Sequence, residues 1–121
     1  MKTIAILGAS NQRSKFGNRA VRAFAGKGWQ VFPVNPREKT IEGLPAFASV
    51  EDLPLRPHLI SVYLPPAVLL QELPRIAARG CDELWLNPGA DSPDVVEAAE
   101  RLGLNVVQAC SLVGHGFDPG D

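Results

Sequence analysis

Ile4-Ala5-Ile6-Leu7-Gly8-Ala9-Ser10, continued by Asn11-Gln12-Arg13-Ser14-Lys15-Phe16-Gly17, is the stretch that decides the fold. A short β-branched and apolar run breaks at Gly8 and crosses a polar loop holding the cations Arg13 and Lys15. It then reaches Gly17, where a helical pattern begins. A strand, a glycine-bounded loop and a helix N-terminus together make an anion site. The first N–H groups of a helix lack intrahelical partners, and the helix dipole favours negative charge there. Gly8 permits a sharp turn. Ala9 and Ser10 are small enough for a phosphate to approach the backbone, and Ser10 adds a hydroxyl donor. The spacing departs from the dinucleotide fingerprint Gly-x-Gly-x-x-Gly, since Ser10 stands at its second glycine and Gly17 follows nine positions after Gly8. The loop lacks a Gly-Lys-Ser/Thr ending, so nucleoside triphosphate hydrolysis is not indicated. A plain strand-to-helix turn with a solvated tip is the competing reading.

Outward from this stretch, strands and helices alternate. The first strand spans about 3–7. A helix follows over about 18–27, with Val21, Phe24 and Ala25 on its inner face and Gly28 as its stop. The second strand, 30–34, contains Pro33, which lacks a ladder donor and fits best near a strand end or on an edge. A short strand is expected around 43–45, and Ser49-Val50-Glu51-Asp52 reads as one helical turn opened by a capping box. The third main strand is 58–64. Residues 66–80 carry a helical period in Leu69, Leu70, Leu73, Ile76 and Ala77, with a break or kink expected at Pro74. The fourth strand is 83–86. Ser92-Pro93 starts a helix that Gly103 ends, and 105–108 is the fifth strand. The glycine-rich segment 111–121 reads as a loosely held tail. The pattern predicts one α/β domain over 1–121, doubly wound, with a parallel sheet in the order 3-2-1-4-5 and helices on both faces.

Composition narrows the function. A length of 121 residues with 45% hydrophobic and 21% charged suits one globular core. The net charge of −1 provides no basic field for nucleic acid, so any anion site must be local. Cys81 and Cys110 form no metal-ligand pattern and read as buried thiols in a reducing compartment. No apolar run approaches a membrane span, and the expected location is cytoplasmic. Cys110 with His115 carries no case for a nucleophile and base, His58 reads as a surface or boundary residue, and Trp85 reads as core.

In an open parallel sheet a ligand sits at the carboxyl ends of the strands. That rule gathers Gly8-Ala9-Ser10, Asn35-Pro36-Arg37, Leu64-Pro65-Pro66 and Asn87-Pro88-Gly89 on one rim, three of them with prolines that suit a flat apolar group. A site for NAD wants an acid after the second strand. Here Asn35 is followed by Pro36, Arg37 and Lys39, which suits a phosphorylated ribose, unless those cations only solvate a turn. One charge-assisted contact of Arg37 or Lys39 to that phosphate would be worth roughly 1.5–3 kcal/mol.

These motifs, in their order and spacing over residues 1 to about 110, resemble the small stand-alone CoA-binding proteins and, more distantly, the CoA-binding domain of the succinyl-CoA synthetase alpha subunit. The resemblance implies a Rossmann-like domain that binds coenzyme A, and with no catalytic constellation in the sequence the expected role is non-covalent binding of coenzyme A or an acyl-CoA without catalysis. The pyrophosphate would lie on Gly8, Ala9, Ser10 and the loop through Arg13, Lys15, Phe16 and Gly17. The 3′-phosphate would meet Arg37 or Lys39, the adenine would be lined by Pro36, Leu64 and Pro65, and Pro66 completes that rim of the site. The pantetheine arm would pass Asn87, Pro88 and Gly89. Two departures stand out. Asn87 occupies a place where many family members have Gln, and no acid follows Cys110. An NADP-dependent oxidoreductase fragment and a regulatory CoA sensor are the alternatives. No protein partner is read from the sequence.

Overall fold

In the computed structural model, which describes residues 1–117, Ile4 and Ile6 join one buried cluster and Ala5 and Leu7 join another. Alternate residues of a strand face opposite sides, so this sheet is covered on both. The strands are β1 (Thr3–Leu7), β2 (Gln30–Val34), β3 (Thr40–Ile41), β4 (Leu44–Pro45), β5 (Leu59–Val62), β6 (Glu83–Leu86) and β7 (Val106–Gln108). Five of them form a parallel sheet in the order β2-β1-β5-β6-β7, and β3 with β4 makes a separate antiparallel hairpin. The helices are α1 (Phe16–Gly26), α2 (Pro66–Arg79), α3 (Pro93–Arg101) and the single turn α4 (Ser111–Gly114). Core residues of α1 and α4 belong to the cluster of Ile4 and Ile6. Those of α2 and α3 belong to the cluster of Ala5 and Leu7.

The α/β class and the five-stranded, Rossmann-like parallel sheet are as expected, but the strand order is not. Counted over the five main strands it is 2-1-3-4-5, not 3-2-1-4-5, and the chain reverses direction between β1 and β5. Pro33 gives the physical reason. Its carbonyl faces away from β1 and accepts the Phe47 N–H at 2.9 Å, while Phe47 O accepts the Asn35 N–H at 2.9 Å. The outer edge of β2 therefore lacks one donor, and a single bridging residue, Phe47, occupies it. The next full strand pairs instead with the free edge of β1.

Several local expectations are corrected. In α1, Ala25 is exposed while Val21 and Phe24 are buried. In α2 the helix continues through Pro74, so of the two expectations there, a break or a kink, the break does not occur. An interior proline costs about 3 kcal/mol. Leu69 before it and Leu73 and Ile76 beside it are all buried, and each contributes about 1.5–3 kcal/mol, so continuity wins. Leu70, expected inside, is exposed. The segment after Cys110 is not a loose tail over residues 111–117. Ser111 and Leu112 are buried, and the Phe117 ring packs edge-on against Phe24 at 5.1 Å. The rest of that expectation, 118–121, lies outside the described residues. Cys81 is buried as expected, but Cys110 is only half-buried.

Candidate functional site

The carboxyl end of β1 is packed backbone against backbone. Gly8 has φ +84°, and a Cβ there would lie 2.6 Å from the Tyr63 carbonyl oxygen. A Cβ on Gly17 would lie 2.4 Å from the Gly8 carbonyl oxygen. The start of α1 thus rests directly on the turn leaving β1, and only glycine fits at either place. No side chain caps α1 at Lys15, and its first turn contains no acid. Its leading N–H groups and dipole remain available to an anion.

Two asparagines hold the loop from opposite sides. The buried Asn18 donates from Nδ2 to Ser10 O at 2.8 Å and to Glu42 Oε2 at 3.0 Å, and its Oδ1 accepts from Arg22 Nε at 2.7 Å. Asn35 donates from Nδ2 to Ala9 O at 2.9 Å and accepts the Arg37 N–H at 2.8 Å. Ser10 Oγ accepts the Gln12 N–H at 3.0 Å, which leaves its own proton free to donate.

Two cavities open on this loop. The first, about 290 Å³, lies between the ends of β1 and β2. Gly8, Ala9 and Ser10 line one side and Val34, Asn35 and Pro36 another. Ala48, Ser49 and Val50 close it opposite Val68 and Glu72 of α2. The second, about 560 Å³, lies over the ends of β5 and β6, among Phe16, Gly17, Tyr63, Pro65, Pro66, Pro88, Gly89 and Ala90. Gly8, Lys15 and Leu64 line both, so the two are lobes of one trough along the sheet's carboxyl edge. Lys15 and Glu72 are the charged side chains on its walls.

The expected site residues divide accordingly. Gly8, Ala9, Ser10, Lys15, Phe16, Gly17, Asn35, Pro36, Leu64, Pro65, Pro66, Pro88 and Gly89 line the trough. Arg13, Arg37, Lys39 and Asn87 do not. Arg13 turns toward Glu42, with Nε 3.8 Å from Oε2, and its carbonyl accepts from Arg22. Arg37 and Lys39 are exposed beyond Pro36. Asn87 is buried beneath the second lobe. Its Nδ2 donates to Ser61 Oγ and Val62 O, and its Oδ1 accepts the Ser111 N–H at 2.8 Å. Tyr63, on the wall above, hydrogen-bonds Ser111 Oγ at 3.0 Å, and burial pushes its phenol pKa up.

Among the lining residues that sequence reasoning missed are Ala48, Ser49, Val50, Tyr63, Val68 and Glu72. The first three enter only because Phe47 bridges the edge of β2, a long-range pairing with no local signature. Val68 and Glu72 were findable, since both flank the inner face that Leu69, Leu73 and Ile76 form in the 66–79 period. His115, set aside earlier, hydrogen-bonds Ser111 O at 2.7 Å through Nδ1, and Phe24, Trp29 and Trp85 surround its ring. Among the described residues no cluster of His, Cys, Asp and Glu forms a metal site, and no helix is long and apolar enough to cross a membrane.

Comparison with known proteins agrees with this architecture. Over 116 residues the chain is 28% identical to acetate–CoA ligase (ADP-forming) I of Archaeoglobus fulgidus, which covers 88% of this chain and 17% of that protein. It is 27% identical to acetate–CoA ligase (ADP-forming) II subunit alpha of Pyrococcus furiosus, over 86% of this chain and 25% of that one. The chain therefore spans a quarter or less of these curated relatives. A solved Thermus thermophilus structure superposes with a TM-score of 0.87 at 35% identity, over 94% of this chain and 87% of that one. The family model of the CoA binding domain matches residues 2–116, and the chain belongs to that family.

Proposed function

We propose that this chain binds coenzyme A, or an acyl-CoA, non-covalently in the trough and does not turn it over. The observation that carries the reading is the two-lobed trough hinged on an uncapped helix N-terminus, with Lys15 at the hinge. A diphosphate fits at that hinge, on the Gly8–Ser10 turn and the first N–H groups of α1, because charge and donors coincide there. The proline- and valine-walled first lobe suits a purine. The longer second lobe, past Pro65, Pro66, Pro88 and Gly89, suits an extended pantetheine arm. Arg37 and Lys39 stand exposed beside the first lobe and serve the 3′-phosphate. In solvent that contact is worth about 0.5–1.5 kcal/mol, less than a buried cation would give. Lys15 and Glu72 face the trough from separate elements, and Tyr63 is tied to Ser111, an arrangement without a paired acid and base.

Calorimetric titration with CoA, dephospho-CoA, NAD and NADP tests this. CoA should bind best, and dephospho-CoA should bind roughly two- to tenfold more weakly. Ser10→Arg, which fills the diphosphate space, should abolish binding and leave the fold intact. Tighter binding of NADP than of CoA would refute the reading, as would unchanged CoA affinity in Ser10→Arg.

A further inference from the structure

Glu72 is anomalous in the first lobe. Leu7, Val34, Pro36, Val50, Leu64 and Val68 make its walls largely apolar, and Ser10, Lys15, Asn35 and Ser49 are the other polar side chains on them. Glu72 shares this lining with a side chain only 31% exposed. Glu72 follows Val68 by one helical turn, so α2 turns both toward the lobe. Arg75 lies on the far side of the carboxylate, with Nη1 3.3 Å from each oxygen, and its Nε is 2.6 Å from Glu51 Oε1. The guanidinium thereby bridges α2 to the turn at Val50–Asp52 that forms the opposite wall. Its contacts to Glu72 are long, and a carboxylate has about four acceptor positions, so acceptor capacity is left over toward the cavity. A carboxylate only accepts. Ser49 Oγ, also on the wall, already accepts the Glu51 N–H and keeps its own proton to donate. The lobe therefore offers an apolar slot edged by the Glu72 carboxylate as an acceptor, with the Ser49 and Ser10 hydroxyls and the Lys15 ammonium as donors on the same walls.

We infer that Glu72 selects a 6-aminopurine over a 6-oxopurine in this lobe, an inference that rests on the reading of the lobe as the purine site. The exocyclic amino group would donate to the carboxylate. A 6-oxo group in its place would set two acceptors against each other in a partly desolvated slot. The test compares CoA with its deamino counterpart, in which hypoxanthine replaces adenine, by calorimetry on the wild-type chain and on Glu72→Gln. The wild type should bind CoA at least about tenfold more tightly than the deamino compound. Glu72→Gln both donates and accepts, so the ratio should narrow to within about threefold, chiefly because the deamino compound binds better. Far-UV circular dichroism confirms that the variant is folded. Equal affinity of the wild type for the two compounds, or an unchanged ratio in Glu72→Gln, would overturn the assignment of Glu72 alone. Failure of the wild type to bind either compound would overturn the purine-site reading and this inference with it.

Discussion

Gly17→Ala puts the packing of the anion end to the most direct mechanical test. The added methyl carbon would lie 2.4 Å from the Gly8 carbonyl oxygen and 3.2 Å from the Ala9 Cα, both backbone atoms. Ordinary contact begins near 3.4 Å, so the start of α1 must retreat by about 1 Å or the turn after β1 must deform. Overpacking of this kind costs about 1–3 kcal/mol, while Gly to Ala within a helix otherwise gains about 0.5–1 kcal/mol. The net expectation is a loss of roughly 0.5–2 kcal/mol, or about 2–8 °C in Tm for a chain of this size. Gly26→Ala, at the other end of α1, meets nothing within 4 Å and should stabilise by about 0.5–1 kcal/mol. The same substitution in the same helix thus has opposite signs, which removes helix propensity as an explanation. Urea unfolding followed by tryptophan fluorescence reads both. A displacement of about 1 Å at the helix start should also weaken CoA binding at least tenfold. If Gly17→Ala proves as stable as the wild type, the close approach of α1 to Gly8 is wrong.

Two further predictions concern the interior. Asn87→Ala removes the acceptor of the buried Ser111 N–H and the donor to Val62 O, and should cost about 2–4 kcal/mol in urea unfolding. A loss below about 0.5 kcal/mol would show that water replaces the amide. Burial pushes the Cys81 thiol up from 9.0 to about 11, so the folded chain holds this proton more tightly than the unfolded one. The contribution is full below pH 9 and disappears as the pH rises to about 11, a decline of at most about 2 kcal/mol. Tyr63, also shifted up by burial, acts in the same direction. Denaturation midpoints measured from pH 8 to 11 should fall, and Cys81→Ala should flatten part of the slope. An unaltered slope in that variant would refute the role of the thiol.

Much of the fold was legible because local and long-range signals agree in it. The Ile4–Leu7 run fixes β1, and Ser92-Pro93 with Gly103 bounds α3, each by near-neighbour chemistry, and both elements stand where expected. Strand order is a different kind of information, since alternation of strand and helix does not say on which side of β1 the third main strand lies. Pro33 did contain the answer. An order that placed strand two in the middle of the sheet conflicts with a residue that suits an edge, and the edge prevailed. Pro74 shows the converse, a strong local breaker overruled by the three apolar side chains that continuity buries.

The candidate site was legible where it follows directly from strand ends, at Gly8–Ser10, Asn35-Pro36, Leu64–Pro66 and Pro88-Gly89. Asn87 is absent from the trough lining for a reason that generalises. A polar residue at a strand's carboxyl end can face the ligand or fold inward, and the partner that draws it inward, Ser111, lies in the segment read as a tail. Which loop cation faces the trough is not legible, because charge in a loop sequence says nothing of direction. Lys15 lines the trough, whereas Arg13 turns to Glu42.

A crystal structure of the chain with coenzyme A tests the central claim most directly. The account predicts the diphosphate against the Gly8–Ser10 turn and the first N–H groups of α1, the adenine in the lobe of Pro36 and Leu64, and the pantetheine arm along Pro65, Pro66 and Pro88. Coenzyme A bound elsewhere on the surface, with this trough empty, would contradict it.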